Sequence, residues 1–84
     1  MAATPTAWED TGEALVRDLR FTDFAAAIAF VDRVAGVAER AGHHPDILVH
    51  GWNNVRLTLA THSAGAVTDA DHALARSIDA LLDG

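Results

Sequence analysis

Three histidines sit at positions where an imidazole can do chemistry: His43 and His44 in Gly42-His43-His44-Pro45, and His62 in Thr61-His62. Histidine titrates closest to neutral pH of all side chains, so it can deliver a proton in one step of a reaction and accept one in another. His44 precedes proline, which pushes its backbone towards the extended region. The two adjacent imidazoles should therefore project in different directions and do different jobs. Glu39 lies four residues before His43, and it and the partial negative charge of a helix C-terminus are both placed to face a charged imidazole there. A further carboxylate, Asp71, ends the run Thr68-Asp69-Ala70-Asp71, the spacing of a capping box with Asp in place of Glu. Each residue also has a plain structural reading. Paired histidines can terminate a helix and bond its last carbonyls, His62 can be a polar strand end, and Asp71 can be a cap. His50 reads as an exposed hairpin residue and His72 as a residue of a first helical turn.

Other chemistries fit this chain poorly. It has no cysteine, which removes disulfides, thiolate metal sites and cysteine nucleophiles. Imidazoles are good zinc ligands, but neither His-x-x-x-His nor His-Glu-x-x-His occurs. Ser63 and Ser77 lack a strand-turn-helix nucleophile elbow. The net charge is −6, and the six positive residues, arginines 17, 20, 33, 40, 56 and 76, are scattered rather than gathered into a patch for nucleic acid. The longest apolar run, Phe24 to Val31, stops at Asp32, too short for a bilayer span. The first residues do not read as a secretory signal, and with the lack of cysteine this points to the cytoplasm.

These side chains must be held by one domain, since 84 residues and 8.9 kDa do not suffice for two cores. Half the residues are apolar and 21% charged, which suits a folded chain with a modest core. The domain is expected over residues 8–84, with residues 1–7 a frayed or disordered start. Asp10-Thr11-Gly12 reads as a hairpin turn leading into a strand from Glu13 to Phe21. Leu15, Leu19 and Phe21 share one parity there, and Arg17 breaks it, implying an edge position or incomplete cover. Thr22 is the expected N-cap of a helix whose apolar residues Phe24, Ile28, Val31, Ala35 and Ala38 step by three and four, ending at Gly42.

Ile47–His50 and Val55–Thr61 read as a second hairpin around Gly51-Trp52-Asn53-Asn54. Val55, Leu57 and Leu59 share one face, while Arg56, Thr58 and His62 share the other. After a turn at Ser63-Ala64-Gly65-Ala66, a last helix presents Ala70, Ala73, Leu74, Ser77, Ile78 and Leu81. The ββαββα order predicts an α+β fold, a four-stranded antiparallel sheet with two helices on one face. Its other face, with Arg56, lies open or becomes a site. Trp8 and Trp52 are expected in the core or an interface.

Taken together, Glu39-Arg40-Ala41-Gly42-His43-His44-Pro45-Asp46, Trp52, Thr61-His62, Gly65 and Thr68 to Asp71 resemble the pterin-4a-carbinolamine dehydratase family. The likeness runs from Trp8 to Leu82 and includes Arg17, Phe21 and the helix from Phe24 to Glu39. Two departures stand out: the family's usual N-terminal helix has no counterpart here, and Trp52 occupies a place where Tyr is common.

The resemblance implies an α+β fold and dehydration of 4a-hydroxytetrahydropterin to quinonoid dihydropterin in tetrahydropterin recycling, with no cofactor and no metal. It implies His43 and His62 as acid and base, His44 orienting the pterin, and Glu39, Pro45 and Asp71 binding or assisting. The three imidazoles and Asp71 are expected to converge on one cleft. Implied partners are the pterin carbinolamine, further copies of the chain as dimer or tetramer, and a pterin-dependent aromatic amino acid hydroxylase; nucleic acid and membrane are not among them. The alternative is a non-catalytic relative, a transcription coactivator or carbon-fixation assembly module.

Overall fold

In the computed structural model, which describes residues 8–83, alternating apolar residues build the centre of the sheet. Strands β1 (Glu9–Asp10) and β2 (Leu15–Arg20) lead into helix α1 (Phe24–Ala41), followed by β3 (Asp46–His50), β4 (Asn54–Leu59) and helix α2 (Asp69–Asp83). The sheet is antiparallel with the order β1-β2-β4-β3, so the strands that pair at its centre come from the two different hairpins. This is the α+β arrangement expected. Among the described residues no helix precedes β1, and none is long and apolar enough to cross a membrane. The frayed start expected for residues 1–7 lies outside the described residues, as does Gly84.

Register decides which side chains meet the helices. Leu15 pairs with Leu59, Arg17 with Leu57 and Leu19 with Val55, and this face is buried. Val55, Leu57 and Leu59 have no exposed surface, each worth roughly 1.5–3 kcal/mol of burial. On the opposite, open face Asp18 pairs with Arg56, whose guanidinium donates two bonds of 2.8 and 3.0 Å to the Asp18 carboxylate. Those bonds hold Asp18 below its ordinary range. Arg56, on the face expected to lie open or become a site, therefore has an internal partner.

Arg17 is not the sign of an incompletely covered strand. It lies on the core face and is only 5% exposed, because Asp79 of α2 takes its guanidinium as an ion pair. The Trp8 indole N–H donates to the same Asp79 oxygen at 2.8 Å, tying the start of the domain to its last helix.

Two helix faces also differ from expectation. Asp23, not Thr22, caps α1: its backbone is extended and its carboxylate accepts the Ala26 N–H at 2.7 Å. The buried stripe is Ala27, Phe30, Val34, Val37 and Ala38, with Phe30 against Phe21 at a ring separation of 5.1 Å. Phe24 and Ala35 are exposed, and Ile28 and Val31 lie between. In α2 the buried face is Asp71, Leu74, Ala75 and Ile78, while Ala70, Ala73 and Ser77 are exposed.

The β3–β4 loop is pinned from inside. Buried Asn53 donates its side-chain amide to the Phe21 carbonyl at 2.8 Å, and the Phe21 N–H returns a 2.8 Å bond to the Asn53 carbonyl. The preceding Trp52 is forced to φ 61 in a tight turn closed by the Asn53 N–H on the Gly51 carbonyl. Its indole is 60% exposed, so it is not a core residue of the single chain.

Candidate active site

His43 is placed by the end of α1. Gly42 adopts the left-handed conformation at φ 65, its N–H bonds the Glu39 carbonyl, and the His43 N–H bonds the Ala38 carbonyl, both at 3.3 Å. This pair of bonds stops the helix and turns the chain off its axis. The structural reading of His43 is thus satisfied by its backbone alone, which leaves its imidazole for other use. That ring does not face Glu39. Its Nε2 lies 2.5 Å from Oδ1 of Asp71, which has no exposed surface, while the His43 side chain remains 20% exposed.

Asp71 is at once a cap and a site residue, with the two tasks divided between its oxygens. Oδ2 accepts the Thr68 N–H at 3.0 Å, which is the back-bond of a capping box, and also the Thr61 hydroxyl at 2.8 Å. Oδ1 faces His43. Burial works to raise the Asp71 carboxyl, but the bonds from His43, the Thr68 amide and Thr61, with the charge of His43, hold it below the usual carboxylate range. An ionised carboxylate only accepts hydrogen bonds, so His43 carries a proton on Nε2 and leaves Nδ1 as the nitrogen that can exchange one.

The hydroxyls of Thr61 and Thr68 are 2.7 Å apart. Thr61 has one hydroxyl proton and gives it to Asp71, so Thr68 is the donor between them. Sequence reasoning had Thr61 only as the neighbour of His62, and Thr68 only as a cap. Two threonines seven positions apart, flanking the turn at Gly65, were the available signal.

His62 is not at a strand end. Strand β4 stops at Leu59, Thr61 makes an isolated bridge to Ala66, and His62 stands exposed in the turn between them. The turn is closed on the Thr61 carbonyl by the N–H groups of Ala64 at 3.0 Å and Gly65 at 2.9 Å. His62 is therefore attached directly to the residue that bonds Asp71.

His44 takes the carboxylate that was expected to face its neighbour. Its Nε2 lies 2.5 Å from Oε2 of Glu39, with both side chains more than half exposed. Pro45, half-buried, follows and leads into β3. The predicted residues thus fall into two contacting sets, His43 with Asp71 and His44 with Glu39, joined through the short segment His43-His44, with His62 next to Thr61. His50 is exposed, as expected, and His72 lies in the first turn of α2, as expected, and is exposed too.

Among the described residues no group of three or more histidine, aspartate or glutamate side chains is arranged to hold a metal ion. An open groove of about 470 Å³ between the helices is lined by Val37, Arg40, Ala41, Ser77, Ala80 and Leu81, and so is separate from the histidines.

The arrangement presents three imidazoles in three different settings. One imidazole is oriented by a buried carboxylate, another stands on an exposed turn nearby in sequence to that carboxylate's partner, and a third is tethered at the surface by Glu39. The family model for pterin 4 alpha carbinolamine dehydratase matches residues 1–81 of the chain. A provisionally named pterin-4-alpha-carbinolamine dehydratase of Nocardia farcinica is 54% identical over 74 residues, 88% of this chain and 77% of that protein. One of Acidobacterium capsulatum is 53% identical over 76 residues, 90% and 82%. A solved transcriptional coactivator/pterin dehydratase from Brucella melitensis matches with a TM-score of 0.80 at 38% identity, over 88% of this chain and 80% of its own. A pterin dehydratase-like protein identified as a RuBisCO assembly factor in the alpha-carboxysome matches with a TM-score of 0.75 at 30% identity, over 90% and 89%.

Proposed function

The chain belongs to the pterin 4 alpha carbinolamine dehydratase family, and from that premise we propose that it is a hydro-lyase converting 4a-hydroxytetrahydropterin to quinonoid dihydropterin and water. The observation that carries this reading is the His43–Asp71 contact, with Thr61 bonded to the same carboxylate and His62 next in the chain. Elimination needs a proton on the departing 4a-hydroxyl, breakage of the C4a–O bond, and loss of the N5 proton to a base. Atoms balance with no redox partner, since the hydroxyl and the N5 proton leave together as water.

His43 and His62 supply the acid and the base, one proton passing in each direction. Asp71 fixes which nitrogen of His43 takes part, and the low carboxyl of Asp71 keeps it an acceptor throughout. His44, held by Glu39, meets the pterin at the open side, and Pro45 sets the direction of that segment. The protein is read as a cytoplasmic homo-oligomer acting on the product of a pterin-dependent aromatic amino acid hydroxylase.

The test is direct. Purified protein is mixed with synthetic or enzymatically generated 4a-hydroxytetrahydropterin, and quinonoid product is followed spectroscopically. Catalysed dehydration is expected, and a rate equal to the spontaneous one would overturn the reading.

A second reading has one observation in its favour. A solved relative of the same fold is described as a pterin dehydratase-like protein identified as a RuBisCO assembly factor. A non-catalytic assembly or coactivator role makes no use of His43, His44, His62 and Asp71 together, and this chain has all of them. Their joint presence favours catalysis.

A further inference from the structure

Thr61 and Thr68 are joined to Asp71 in a way that a cap alone does not require. Thr68 already satisfies the cap through its backbone N–H, at 3.0 Å from Oδ2. Its hydroxyl is turned instead to Thr61, 2.7 Å away, and the Thr61 hydroxyl passes on to Oδ2 at 2.8 Å. Oδ2 thus accepts two donors and Oδ1 is left to His43. A carboxylate with one donor on each oxygen can rotate and exchange them. To re-aim Oδ1, this one must break two bonds of a side chain that has no exposed surface, where an unmade bond is costly.

Thr61 is itself held at every polar group. Its N–H bonds the Ala66 carbonyl, its carbonyl accepts Ala64 and Gly65, and its hydroxyl lies between Thr68 and Asp71. The turn that carries His62 therefore hangs from the same residue that orients the carboxylate facing His43.

On the dehydratase reading given above, we propose that Thr61 and Thr68 are positioning residues, whose hydroxyl chain locks Asp71 so that His43 presents Nδ1, and fixes the His62 turn relative to it. Neither threonine needs to touch the pterin. The chain of donors Thr68 to Thr61 to Asp71 sets the tautomer of one imidazole and the anchor point of another.

The test uses Thr61→Val and Thr61→Ser in the full chain. Valine keeps the shape and removes the hydroxyl, while serine restores it. Two readouts are needed: the His43 tautomer from imidazole ¹⁵N shifts of the free protein, and kcat and KM with 4a-hydroxytetrahydropterin. In Thr61→Val the carboxylate of Asp71, released from one of its two Oδ2 donors, can turn away from His43, so the Nε2–H form should lose its dominance and kcat should fall about tenfold, the scale of one hydrogen bond to a charged group, with KM little changed. Thr61→Ser should recover both, and Thr68→Val should give a smaller effect in the same direction. An unaltered His43 tautomer in Thr61→Val would overturn the proposal, whether or not the protein turns over. Lack of turnover in the unsubstituted protein would remove the dehydratase reading alone, with the tautomer comparison still deciding the positioning role. Loss of the folded signal in Thr61→Val would be met by Thr61→Ser against Thr61→Ala, where equal His43 spectra would count against it.

Discussion

Oδ1 of Asp71 lies 2.5 Å from Nε2 of His43, although the two residues are 28 positions apart in the chain. The other oxygen is occupied by Thr61 and Thr68, so Asp71→Asn has a forced orientation. Its carbonyl must take the Oδ2 place to accept those donors, which turns its NH₂ towards His43. Nε2 then has to accept, and the proton moves to Nδ1. Turnover of 4a-hydroxytetrahydropterin is expected to fall at least about 100-fold, as happens when an orienting carboxylate yields the wrong tautomer. A loss below about tenfold in steady-state kinetics would mean that the tautomer of His43 does not matter.

The same carboxyl gives stability a pH dependence with a definite sign. Its folded value lies below the ordinary 3.8, since the hydrogen bonds outweigh the effect of burial. A depressed carboxyl contributes stability that is fully present above the unfolded value and is lost as pH falls through the folded one. The unsubstituted protein should therefore lose stability from about pH 4 downwards more steeply than Asp71→Asn. Urea midpoints at pH 7, 4 and 3 check this, and parallel curves for the two proteins would contradict it.

The two candidate acid/base histidines should separate in their structural cost. Replacing either His43 or His62 by Ala is expected to lower turnover about 100-fold or more, the scale of a positioned acid or base. His43→Ala also takes a donor from a wholly buried carboxylate, at a cost of about 1–3 kcal/mol. His62 stands exposed on its turn, so His62→Ala should leave the melting temperature nearly unchanged. Near-normal turnover in both variants would remove these residues from the chemistry.

What sequence could and could not reveal follows from how local each cause was. The stop at Gly42 was legible because a left-handed residue before His-His-Pro leaves few alternatives, and Gly42 does adopt φ 65. The buried parity of Val55, Leu57 and Leu59 was legible because strand faces alternate strictly. The faces of α1 were misread by one step. Alanines surround the stripe on both sides, so only Phe30, Val34 and Val37 mark the core, and Phe24 drew the phase away from them. Arg17 looked like an edge residue because its partner Asp79 is 62 positions away. Glu39 was assigned to His43 on the same local logic, since it is near in sequence; the fold gives Glu39 to His44 and brings Asp71 from α2 instead.

Assembly is the remaining expectation, and the sheet supplies a specific geometry for it. One edge strand, β1, is two residues long, while the other, β3, has five. An edge strand carries a row of unpaired backbone groups and invites another strand. Leu48 occupies the middle of β3 on the open face and is 54% exposed. Antiparallel pairing of two β3 strands about a two-fold axis would extend the sheet to eight strands and bring the two Leu48 side chains near that axis, an isologous contact. Small cores gain from such association. Sedimentation at micromolar concentration should show a species of at least twice 8.9 kDa. Leu48→Lys sets like charges face to face across the axis and should weaken the dimer at least about tenfold without disturbing the fold of the protomer. A sole 8.9 kDa species in the unsubstituted protein would refute the dimer, and an unchanged dimer in Leu48→Lys would place its interface away from β3.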